Sequence, residues 1–160
     1  MVFFLRKGEM IMNWNKDKSI TLSFVCLAVF SAVLLAMDIF CIPVCRSYLS
    51  FRKMNMGLCV TLALSVYICS VFAWITIVYL WKLLSNIGKG EVFIQDNVRN
   101  MRIVSWCCTG VAAVCLVLAF TYIPYVFVAV AAAFMTLIVR IVKNTFEQAI
   151  AMKAELDLTI

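Results

Sequence analysis

Four long apolar runs organise the chain, at about residues 20–42, 58–79, 103–122 and 125–142. Each has the length, about 20 residues, that a helix needs to cross the hydrocarbon of a bilayer. The polar intervals between them are unequal. The longest, the elbow at 82–102, separates runs two and three, whereas only Thr121 to Tyr125 separates three from four, so the last two runs are expected to form a tight helical hairpin around Pro124. Helical spacing carries run two past the membrane through Leu80, Leu83, Leu84 and Ile87, with Gly88 placed as a left-handed cap. Beyond run four, the tail at 143–160 has good helix formers and neither Gly nor Pro, so that helix should also continue. The pattern predicts an all-α polytopic membrane protein, one domain over 1–160, with four transmembrane helices and cytoplasmic extensions of helices 2 and 4.

Composition supports this reading. Of the 160 residues, 66% are apolar, well above the roughly 45–50% of soluble proteins. A water-soluble fold of this size has no interior large enough for the excess, so lipid is the natural solvent. The net charge of +6 does not point to nucleic acid, because Lys and Arg gather at the ends of the runs. With both termini inside, eleven of the fourteen basic residues fall on the cytoplasmic side. They precede run one (Arg6, Lys7, Lys16, Lys18), lie in the elbow (Lys82, Lys89, Arg99, Arg102) or follow run four (Arg140, Lys143, Lys153). Arg46, Arg52 and Lys53 are then outside. A basic segment before an apolar run also fits a secretory signal peptide, but this run is long and has no small-x-small cleavage site after it, so it is expected to be a retained anchor. Met10 and Met12 are alternative starts.

Candidate chemistry is sparse. There is no His, and the eight cysteines lie mostly inside apolar runs, where free Cys acts as a small hydrophobe. Cys41 and Cys45, flanking Pro43, are the two that an oxidising compartment would reach, although a disulfide there is disfavoured. No spacing suits a metal, GKGE lacks the spacing and the following Ser or Thr of a phosphate loop, and no nucleophile has a partner base. No catalytic residue, cofactor or metal is therefore expected, and the chain is not read as an enzyme. Asp38 is the single carboxylate inside an apolar run, which by default marks a functional site. It lies about 27 Å along the helix from Ile20, near the far edge of the hydrocarbon. Two readings stay open: an interfacial group solvated or paired with Arg46, and a proton, cation or ligand site. Pro43 is expected to end or kink the helix. Ala28, Ala32 and Ala36 form a small-residue stripe suited to close helix approach, or are simply lipid-facing; Ala129, Ala131, Ala132 and Ala133 make helix 4 slim enough for a central place.

Within the elbow, Asp96 is a plausible N-cap, with Val98 and Met101 on one face of the next turn and Arg99 and Arg102 on another. This segment is either a partner platform or a lipid-surface segment whose arginines meet anionic headgroups. Lys153 and Asp157 are one turn apart and suited to pairing. The apolar chain end, Leu158 to Ile160, is expected to dock on Phe93, Val98 and Met101 or to be read by a partner. Phe93, Val98, Arg99, Met101, Arg102, Glu155 and Asp157 form the expected partner surface.

The elbow LLSNIGKGEVFIQDNVRNMRIVSWCC, the segment AAAFMTLIVRIVKNTFEQA and the terminal AMKAELDLTI resemble the bacterial domain of unknown function 2975 family. NWNKDKSITLSFVCLAVFSAVLLAMDIF resembles one branch of it. The resemblance implies a four-helix inner-membrane protein, often beside a small helix-turn-helix regulator, with no established activity. One departure is Leu156, where the family's terminal motif usually has Asn between its acids. The expected function is a non-enzymatic membrane regulator or sensor, its elbow and tail binding a small helix-turn-helix transcription factor and not nucleic acid directly. The alternatives are a small transporter or channel subunit with Asp38 in its pathway, or an immunity protein against a peptide toxin. Homo-oligomerisation fits either of the first two.

Overall fold

The computed structural model describes the backbone at residues 2–52 and 56–157, and the side chains at 18–48, 50, 51 and 57–156. Four helices follow the four apolar runs: α1 (Val2–Arg52), α2 (Met56–Gly88), α3 (Gln95–Ala119) and α4 (Tyr125–Asp157). All four are long and apolar enough to cross a membrane. Each extends beyond its apolar run at one end or both. α1 passes through Pro43 without ending, and so takes in most of the expected first loop. Proline removes one amide donor, a loss that a long apolar helix tolerates when neighbouring helices support the backbone.

The helices lie side by side in chain order. Among the described residues, backbones approach closely between α1 and α2, α2 and α3, and α3 and α4. The central pair is therefore α2 and α3, and α4 is peripheral, contrary to the expectation from its alanines. Ala129 is buried, yet Ala131 and Ala133 face outward. The alanine stripe of α1 is exposed as well. The less exposed positions of α1 are instead Ile20, Phe24, Leu27, Ser31, Leu34, Asp38, Cys41 and Cys45, alternating four and three residues apart as in a left-handed helix pair. α1 and α2 run antiparallel along this seam. Phe24 meets Trp81 edge-on at 5.3 Å, and Asp38 lies against Ser70 and Trp74.

The packing reverses that of a soluble bundle. Large apolar side chains point outward on every helix, including Phe30, Val60, Val117 and Phe134, while Ser65, Ser70, Asn97, Ser105 and Thr136 are buried with four cysteines. Small and hydroxyl side chains at helix interfaces let backbones approach in lipid. The hydroxyls of Ser65, Thr76, Thr109 and Thr136 fold back onto carbonyls of their own helices, which satisfies the three threonines locally. Gly110 serves close approach directly, because a Cβ there would lie 3.0 Å from the Phe72 ring. All eight cysteines are free.

α3 and α4 join through the short turn expected around Pro124. The amides of Thr121 and Tyr122 both donate to the Leu118 carbonyl, and the Phe127 amide donates to Pro124. At this hairpin end the Tyr48 and Tyr122 hydroxyls are 3.0 Å apart, tying α1 to the turn.

Candidate functional site

Two places gather polar side chains: a clasp around Asp38 and the elbow between α2 and α3. At the clasp, Tyr67, Ser70 and Trp74 are spaced to fall on one side of α2, opposite the α1 seam. Ser70 Oγ and Trp74 Nε1 donate to Asp38 Oδ2 at 2.7 and 3.1 Å, and Tyr67 OH donates to the Asp38 carbonyl at 3.2 Å. Oδ1 is buried and has no hydrogen-bond partner among the described residues. The carboxyl borders a cleft of about 400 Å³ to which all four helices contribute, lined mainly by apolar side chains with the Ser65 and Tyr125 hydroxyls hydrogen-bonded to each other in its wall.

Of the readings left open for Asp38, pairing with Arg46 is not seen among the described residues. Arg46 is exposed, two turns further along α1, or about 12 Å up the axis. Asp38 faces the protein because it occupies a seam position, in step with Ser31 and Cys45 at intervals of seven. Sequence reasoning missed Ser65, Tyr67, Ser70, Trp74 and Tyr125 as its surroundings. The available signal was that seven-residue recurrence on α1, matched by the Tyr67, Ser70 and Trp74 spacing on α2.

The elbow is built around Asn97, which is fully buried. Its Nδ2 donates to the carbonyls of Glu91 and Val92, both at 2.8 Å, while its Oδ1 accepts from Asn86 Nδ2 at 2.9 Å. One side chain thus holds the end of α2, the intervening loop and the start of α3. α2 closes in a Schellman turn: the Glu91 amide donates to Asn86 and the Gly90 amide to Ile87, with Gly90 at φ +82°. The left-handed glycine is therefore Gly90, and Gly88 is still helical. The N-cap expected at Asp96 falls instead on Ile94, with no side-chain cap, and Asp96 sits exposed in the first turn of α3. There its negative charge complements the helix dipole.

The expected partner surface divides. Val98 and Met101 are buried, 2% and 8% exposed, and hold the elbow together. Phe93 is half exposed and packs on Phe146 of α4 at 5.7 Å between ring centroids. Arg102 pairs with Glu147 at 3.2 Å, and Lys143 reaches the same carboxylate oxygen at 3.2 Å. Arg99 is exposed beside a polar groove of about 510 Å³ that also takes in Lys82, Lys89, Asp96 and Trp81. Glu155 is exposed on α4; the side chains of Asp157 and Arg52, the segment Leu158–Ile160 and Lys53 lie outside the described residues. α4 reaches the elbow through Phe146 and Glu147, well before the chain end expected to dock there. No cluster able to hold a metal ion occurs among the described residues.

These features define an all-α chain of four membrane-length helices with a small polar interior and a locked bend between the second and third. The family model described as "Protein of unknown function (DUF2975)" matches residues 44–160. The chain belongs to that family. The matched stretch begins at Val44 and includes the elbow and all of α2 to α4, while Asp38 precedes it. No curated protein and no solved structure matches the chain.

Proposed function

We propose that the protein is a non-enzymatic regulator or sensor of the bacterial inner membrane, with both termini and the elbow cytoplasmic, whose elbow and α4 extension bind a small helix-turn-helix transcription factor. The observation carrying this reading is the bracing of the elbow. Asn97 fixes its loop, while Phe146 and Glu147 join it to α4, so a change in helix packing within the membrane would alter one shared surface. The accessible part of that surface is Phe93, Arg99, Arg102 and Glu155, with Lys82 and Lys89 beside them. A signal would act by favouring one of two helix arrangements with different affinity for the partner. The test is affinity capture from native membranes together with transcript profiling of a deletion strain. Recovery of a helix-turn-helix protein, lost with Arg99→Glu, and altered transcription of neighbouring genes are expected. An intact transcript profile with no such protein recovered would refute the reading.

The Asp38 cleft favours a second reading, a small transporter or channel subunit that assembles as a homo-oligomer. Proteoliposome flux abolished by Asp38→Asn would establish it, and flux indifferent to that change would remove it.

A further inference from the structure

We propose that the Asp38 cleft is a binding site for a small organic ammonium ion carrying an apolar body. The inference is independent of the cytoplasmic partner surface. Asp38 is presented in a fixed orientation, with Oδ2 occupied by Ser70 Oγ and Trp74 Nε1 and Oδ1 buried without a partner among the described residues. An acceptor held in that way calls for an N–H donor, and a charged donor suits a carboxylate best. Leu34, Val66, Cys69 and Val111 make the adjoining wall apolar, and the space of about 400 Å³ falls within the range of small-molecule sites. A bare metal ion replaces its water with about six or more oxygen ligands, as hard divalent cations do. This wall offers few. A cation that brings its own apolar surface matches both halves of the cleft.

The second polar feature sets the length of the guest. The Ser65 and Tyr125 hydroxyls, joined to each other, lie five residues along α2 from Ser70, about 7.5 Å of helix axis. Between the two polar ends runs the apolar stretch around Val66 and Cys69. A body about one aromatic ring and a short linker long spans that distance, with its ammonium reaching Asp38 Oδ1 after a small shift of the wall uncovers that atom, which is closed to solvent. Because side chains from all four helices line the cleft, such a guest would touch every helix at once.

The test is equilibrium binding of radiolabelled 2-phenylethylammonium to the full chain in nanodiscs of phosphatidylcholine. Saturable binding is expected, weakened at least about tenfold by Asp38→Asn, equivalent to about 1.4 kcal/mol. Neutral 2-phenylethanol, of similar shape, should compete at least about tenfold more weakly than the unlabelled amine. Ala73→Phe, which fills the cleft and keeps Asp38, should abolish binding while the melting temperature is retained. Absence of saturable binding, equal affinity in Asp38→Asn, equal competition by the alcohol, or displacement by sodium ion at matched concentration would each overturn the proposal. If Asp38→Asn does not fold, the alcohol comparison and the sodium displacement on the unaltered chain decide the matter.

Discussion

Asn97 concentrates more of the elbow's stability than any charged residue near it. Removing its amide leaves two carbonyls and the Asn86 amide without their partner in a part-buried site, and unsatisfied buried groups cost about 1–3 kcal/mol each where nothing else fills in. Asn97→Ala is expected to lower unfolding stability in mild detergent by about 3 kcal/mol. Gly90→Ala is the milder comparison. Nothing lies within 4 Å of a Cβ there, so only the left-handed backbone opposes it, at about 1 kcal/mol. Reversible unfolding followed by circular dichroism measures both, and a larger loss in Gly90→Ala than in Asn97→Ala would show that the turn, not the asparagine, holds the bend. None of this was legible locally. Asp96 has the chemistry of an N-cap, and nothing in its neighbours shows that its successor, Asn97, reaches across the loop to Asn86.

At the scale of elements, the number and order of helices could be read from the apolar runs because span length is a strong constraint in lipid. Which face of each helix meets a neighbour could not. A helix apolar all round carries no amphipathic stripe to mark its phase, so the alanines of α1 suggested one face while Ile20, Leu27, Asp38 and Cys41 form the other. Helix ends were also misread where a local rule gave way to context, as when the left-handed glycine closing α2 proved to be Gly90 and not Gly88. The extension of α4 is held mainly by the Phe93 and Phe146 contact, since the Arg102 and Glu147 pair is substantially exposed and worth at most about 1 kcal/mol. Phe146→Ala should therefore speed limited proteolysis of α4 beyond Lys143 severalfold, and Glu147→Ala should change it little. The reverse order would assign the brace to charge.

For the whole molecule, the decisive question is how the helices are threaded through the bilayer. The basic residues around the elbow and beyond α4 outnumber those at the α1–α2 connection, and that asymmetry should keep the elbow on the cytoplasmic side. In a cysteine-free background, Lys89→Cys is expected to resist a membrane-impermeant maleimide in intact cells and to react once they are opened, while Ile123→Cys at the hairpin reacts in both. The opposite pattern would invert the topology and place the partner surface outside the cell. The inward-facing serines and outward-facing phenylalanines explain why composition announced the membrane so clearly while the site stayed hidden. Bulk hydropathy records the many exposed apolar residues, and the clasp depends on Tyr67, Ser70 and Trp74, which do not stand out among them.

Among the described residues the backbone of α1 packs closely on α2 only, with the Tyr48 and Tyr122 hydroxyls as a tie to the α3–α4 turn, and this has a mechanical consequence. Withdrawing α1 would break one seam, the three hydrogen bonds that converge on Asp38 and the Tyr48–Tyr122 hydroxyl contact, leaving the α2–α3 and α3–α4 interfaces in place. Of the large rearrangements open to this molecule, swinging its first helix aside disturbs the least, so Asp38 sits where a latch would have to be.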